Sequence, residues 1–233
     1  MRGLKYITLF LLCLSSIAWP DSVVLDGQSD MDDALLYVSA ATTSYATETY
    51  LYCRQNVYVT LLKFDLTGIS GTIDSVSLKL RRHLPADNEH CFFYRVTTPW
   101  VEETGLNSEV MWDSASIGCP TCLAWTTPGG DYNASKVDSL TNRGTDDPDI
   151  DVYCQRGEGV GLAQLVQDWV DGTYDNYGII LKAGLMGVAD TLYFYSSENF
   201  NETLYPRPKL YIEYTPDGGM SSARRRKIIL GGQ

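Results

Sequence analysis

Residues 73–82 set Val76, Leu78 and Leu80 against Ser77, Lys79 and Arg81 in strict alternation. A period of two sends one set of side chains into a core and the other into water, which a helix of period 3.6 cannot do. The β-rich run 57–66 stands just before it, and Thr67, Gly68, Ile69, Ser70 and Gly71 supply turn chemistry between the two. The pair reads as neighbouring strands. Further strand-forming runs, dominated by Tyr, Val, Ile, Thr and Phe, cover 35–38, 50–53, 91–97, 177–182, 191–196 and 210–214. Residues 160–170 break the pattern: Leu162, Leu165, Val166, Trp169 and Val170 recur at helical spacing, and Asp171 and Gly172 end the run. The expected fold is all-β, a jelly-roll-type β-sandwich with one short amphipathic helix at an end or edge and Trp169 as a core anchor.

Arg2 and Lys5, the apolar run 7–14 and the small residue Ala18 have the order of a secretory signal peptide, so residues 1–18 are expected to be removed. That apolar run falls short of the roughly 20 residues a spanning helix needs. The mature chain reads as one domain with one core, 19–216, then a flexible tail, 217–233, carrying Arg224, Arg225, Arg226 and Lys227. The expected location is secreted or cell-surface.

The chain carries 18 basic and 29 acidic residues, a net charge of −11. Duplex nucleic acid is therefore excluded as a natural partner. Cys53, Cys91, Cys119, Cys122 and Cys154 lie beyond the signal segment. In an exported protein, Cys119 and Cys122 read as a local disulfide staple, and the pairing of the other three stays open.

Two acidic loops offer hard oxygen ligands to calcium. One holds Asp26, Asp30, Asp32 and Asp33, the other Asp146, Asp147, Asp149 and Asp151, with Asp30, Asp32, Asp147 and Asp149 the chosen candidates. Structural calcium is the only cofactor expected. The two histidines, His83 and His90, lie in one polar stretch with no nucleophile arrangement around them, so no catalytic constellation stands out.

The basic residues concentrate in the strands. Arg54, Lys63, Lys79, Arg81, Arg82 and Arg95 are half of the positive charges between residues 19 and 220. If their strands adjoin, Lys63, Lys79, Arg81 and Arg95 form one face able to clamp carboxylates, with Tyr52, Tyr58, Phe93 and Tyr94 available for stacking.

The order of short strings along the chain carries a family resemblance: Asp33 with its following Ala-Leu-Leu-Tyr, LLKFDLTGIS at 61–70, SVSLKLRR at 75–82, Trp100-Val-Glu, LVQDWVDGTYDNYGIIL at 165–181, FYSSEN at 194–199 and RPKLYIEY at 207–214. Taken together they resemble the DNRLRE domain, which overlaps carbohydrate-binding module family 96. The string that names that family is absent. The resemblance implies a jelly roll on a secreted surface protein or beside a polysaccharide-degrading enzyme, and an alginate-like ligand. The combined expectation is a non-catalytic module that binds an anionic, uronate-rich polysaccharide. A self-associating surface or appendage subunit is the alternative, and a polysaccharide lyase trails both.

Overall fold

The computed structural model describes residues 20–83, 90–102, 109–116, 123–141, 149–155, 161–184, 191–199, 201 and 206–217. The signal segment, the basic tail, Cys119, Cys122 and Asp147 lie outside them. In chain order the strands are β1 (Asp21–Leu25), β2 (Met31–Tyr37), β3 (Tyr50–Cys53), β4 (Tyr58–Phe64), β5 (Thr72–Arg81), β6 (His90–Val96), β7 (Tyr132–Thr141) and β8 (Asp149–Gln155). Helix α1 (Leu162–Val170) comes next, then β9 (Ile179–Ala183), β10 (Leu192–Tyr195) and β11 (Lys209–Thr215). No described helix is long and apolar enough to cross a membrane.

Among the described residues every strand pairing is antiparallel, in a four-stranded sheet of order β1-β11-β5-β8, a five-stranded sheet of order β2-β4-β9-β6-β7, and the pair β10-β3. The fold is the expected all-β sandwich. Ile73, Val76, Leu78 and Leu80 of β5 with Leu210 and Ile212 of β11 meet Leu62, Phe64, Phe93, Ile179 and Leu181 of the other sheet in one core. The alternation of β5 slips once: Ile73, then Val76, Leu78 and Leu80 point inward, with a bulge where Tyr214 pairs Ile73 and Glu213 pairs Ser75.

The sheet order corrects two sequence expectations. Strands β4 and β5 are not neighbours, because β4 belongs to the five-stranded sheet and β5 to the four-stranded one. Their connection arches across the sandwich, and at Gly71 (φ +116°) a Cβ would stand 2.2 Å from the Thr215 carbonyl oxygen, so only glycine fits. Asp149 and Asp151 do not form a loop before a strand. They lie within β8, in register with Arg81 and Lys79.

The single expected core is two clusters. The outer side of the five-stranded sheet, with Ala34, Leu36, Val59, Leu61, Val96 and Ile180, is covered by Trp100, Val110, Ala115 and Trp125 from the β6–β7 connection. Helix α1 closes one end of the sandwich core with Leu162, Ala163, Leu165 and Val166. Gln167 ties it to β5: its Oε1 accepts from the Ile73 N–H at 2.7 Å and its Nε2 donates to the Gly71 carbonyl at 3.0 Å. Trp169 packs against this core, partly buried, as expected.

Candidate functional site

The sandwich separates the four basic residues expected to share a face. Lys79 and Arg81 project from the outer side of the four-stranded sheet, since the alternate residues Leu78 and Leu80 are buried, and both are already engaged with other groups. Lys63 lies on the covered side of the five-stranded sheet, in an ion pair with Asp32 and 5.3 Å from the centroid of Trp100. Lys63 and Arg95 each line a cleft, but the one beside Lys63 also holds its partner Asp32, whereas Arg95 is in no ion pair among the described residues.

The cleft at Arg95 arises from an irregular ladder. The register between β6 and β7 shifts on both sides of Tyr94, so that Tyr94 pairs Lys136, Val96 pairs Tyr132, and Arg95 has no partner on β7. A bulge of this kind re-aims a side chain. Arg95 thereby turns toward α1, and its guanidinium lies 3.9 Å from the ring centroid of Tyr174, which is 41% exposed. Tyr174 is held by the turn after α1, its N–H donating to the Asp168 carbonyl. The cavity measures about 350 Å³, and Asn133, Ser135, Gln164 and Asp168 complete its polar lining. Among the described residues no carboxylate pairs with Arg95.

A second surface is built from tyrosines. In the β3–β10 pair, Leu51, Cys53, Leu192 and Phe194 are buried, while Tyr50 and Tyr52 alternate with them and stand in register with Tyr195 and Tyr193. A tight turn returns the chain from β3 to β4, with Asn56 in the left-handed region (φ 57°) that asparagine tolerates. This turn sets Tyr58 beside Tyr52, centroids 5.3 Å apart, and the file runs on to Tyr37 (4.6 Å) and Tyr45 (6.0 Å). Burial, with the charge of Glu48 adding to it, raises the Tyr52 hydroxyl above its ordinary pKa, so it stays a hydrogen-bond donor. His83 Nδ1 lies 2.6 Å from the Tyr195 hydroxyl, but Tyr195 is only 3% exposed. Of the expected stacking residues, Tyr52 and Tyr58 join this file, Tyr94 packs on Tyr132, and Phe93 is wholly buried.

The acidic loop before the first expected strand is partly strand: Asp30 ends a 3-10 turn (Gln28–Asp30), and Asp32 and Asp33 lie in β2. Asp30 Oδ2 accepts from the N–H groups of Asp26 and Gly27, Asp32 binds Lys63, and Asp26 binds Lys209 at 2.9 Å. Asp33 alone turns inward. Its neighbours there are two acids that sequence reasoning passed over, Glu102 and Glu198, with one carboxylate oxygen of each residue within 4.8 Å of the others. Glu102 Oε1 accepts from the Asp33 N–H (2.8 Å), Asp33 Oδ2 from the Ser197 N–H (2.7 Å), and Glu198 Oε1 from the Ser197 hydroxyl (2.8 Å). Burial, then the charge of Glu198, raises the Asp33 carboxyl well above the usual range. Glu102 is pushed up to about 8, chiefly by burial, with Glu198 and Asp32 adding to it. Both missed acids stand in strings that carried the family resemblance, Trp100-Val-Glu and FYSSEN. Of the other candidates, only the backbone of Asp149 is described.

Cys53 and Cys91 meet in the core, their sulfurs 3.1 Å apart as free thiols. No protein-family model matches the chain, and a search of the curated proteins found no match. Fold and geometry together define an all-β sandwich with a small arginine-bearing cleft, a tyrosine file and a partly buried cluster of three carboxylates.

Proposed function

We propose that the protein is a secreted, non-catalytic module that binds an anionic, uronate-rich polysaccharide of the alginate type, as its resemblance to DNRLRE domains implies. The observation that carries this reading is Arg95, a guanidinium over an exposed tyrosine at the mouth of a cleft, in no ion pair with a described carboxylate although Asp168 lines the same cleft. A guanidinium takes a sugar carboxylate through two parallel hydrogen bonds. Asn133, Ser135, Gln164 and Asp168 offer donors and acceptors for ring hydroxyls, and the volume is at the small end of ligand pockets, suited to one or two sugar rings.

Affinity electrophoresis in alginate tests the reading. Wild-type protein is retarded, less so as salt screens the pairing, and a neutral glucan gel retards it little. Arg95→Gln weakens binding about 10- to 100-fold, the worth of a hydrogen bond to a charged group. Lys79→Gln with Arg81→Gln, on the far sheet, leaves retardation intact. Unchanged wild-type mobility overturns the function, and loss in the double variant with retention in Arg95→Gln moves the site to the four-stranded sheet.

The tyrosine file supports the other reading, a surface subunit that associates with its own copies, because partly exposed tyrosines are common anchors in protein interfaces. Sedimentation of wild type and Tyr52→Ala at high concentration separates the two: a dimer lost on substitution favours self-association.

A further inference from the structure

We infer that Asp33, Glu102 and Glu198 form a binding site for one hard divalent cation, calcium, at the edge of the five-stranded sheet. Three chain segments converge there: Asp33 from the edge strand β2, Glu102 from the connection after β6, and Glu198 from the turn after β10. Asp33 and Glu198 each have one oxygen anchored and the other left open. Ser197 fixes Asp33 Oδ2 through its N–H and Glu198 Oε1 through its hydroxyl, whereas Asp33 Oδ1 and Glu198 Oε2 are buried and meet no hydrogen-bond donor. Asp33 is 1% exposed, so water does not relieve it.

A buried carboxylate oxygen without a partner is costly, and three acids packed together compound the cost by like-charge repulsion. A bound cation answers both, because it supplies the missing partner to the open oxygens and cancels most of the charge. The separation fits: ligands about 2.5 Å from one calcium can stand up to about 5 Å apart, and one carboxylate oxygen of each of the three acids lies within 4.8 Å of the others. The donor set is all oxygen, with no histidine or cysteine, which selects against zinc and copper. Calcium suits it better than magnesium, which keeps most of its water and is held by one or two carboxylates.

The site does not depend on saccharide binding, and its test contains no glycan. The full mature chain is titrated with calcium chloride by calorimetry and melted in calcium and in chelator. One calcium binds per chain, and Tm climbs by about 3–5 °C for each tenfold rise in free calcium above Kd. Glu198→Gln removes the shift; in chelator it melts no lower than wild type, because it relieves repulsion. Asp149→Asn, in β8, keeps the shift. If Glu198→Gln does not fold, Glu102→Gln takes its place with the same expectation. Equal melting of wild type in calcium and chelator overturns the site, and so does a calcium shift that survives in the Glu198 or Glu102 variant.

Discussion

Two glutamines one turn apart on α1 meet opposite fates. Gln164 is exposed and bonds Asp168 on its own helix, whereas Gln167 is buried and satisfies the backbone where the β4–β5 arch enters β5. Gln167→Ala strands the Ile73 N–H and the Gly71 carbonyl in a dry interior, which costs about 2–4 kcal/mol by the desolvation of two unpaired groups. Gln164→Ala changes stability by less than about 0.5 kcal/mol, as exposed substitutions do. Urea unfolding of the two variants checks this; equal midpoints would show that Gln167 is not the tie. The same limit on sequence reading explains Asp33. Adjacent acids on a strand point to opposite faces, so Asp32 reaches Lys63 and Asp33 the carboxylate cluster. The expected strand began at 35, two residues after Asp33, and parity was therefore never assigned to either acid.

At the scale of elements, strands with a clear apolar period were legible to within a few residues, as was α1, whose apolar stripe predicted 160–170 against the observed Leu162–Val170. What the sequence did not reveal is sheet membership. The segment joining β4 to β5 serves a hairpin or an arch equally well, and the choice depends on Thr215 lying against Gly71, a contact 144 residues away. Strand β7 went unread because Tyr132–Thr141 has no sustained apolar alternation, and β8 because its acids resembled a calcium loop. Cysteine pairing was open for the same reason, and packing now selects one pair. Cys53 of β3 and Cys91 of β6 already touch, and refolding the reduced chain with glutathione disulfide links them, the two thiols giving two electrons and two protons to the oxidant. Closing a loop across this 38-residue separation stabilises by about 4 kcal/mol in the chain-entropy model. Burial raises the Cys91 thiol well above its ordinary pKa, so the folded protein reacts slowly and the bond has to form before the core closes. Peptide mapping by mass spectrometry reads the outcome; Cys53 and Cys91 both still alkylatable after oxidative refolding would refute the pairing.

The whole molecule is a sandwich with a second layer, because the five-stranded sheet is apolar on both faces. The strings LLKF and GIIL show why this was hard to see: Leu61 and Ile180 enter the outer cluster while their neighbours Leu62, Ile179 and Leu181 enter the sandwich core. A continuous apolar run in a strand signals burial on both sides, but does not say what covers the second. Here the cover is the β6–β7 connection, pinned by Trp100 Nε1 donating to the Tyr177 carbonyl (2.8 Å) and Trp125 Nε1 to the Met111 carbonyl (2.9 Å). Three of the tryptophans, Trp100, Trp112 and Trp125, lie in this connection, so fluorescence reports chiefly on the cover and far-ultraviolet circular dichroism on the sheets. In wild-type protein both clusters share the central sheet, and the two signals lose structure at one temperature. Trp125→Ala removes a side chain only 5% exposed, costing about 3–5 kcal/mol, while leaving the sandwich core untouched. The cover then opens first: fluorescence from Trp100 and Trp112 falls at a lower temperature than the circular dichroism of the sheets, which stays near its wild-type midpoint. Coincident curves shifted together in the variant would instead mean that cover and sandwich fold as one unit, with the outer cluster as necessary to the sheets as the inner.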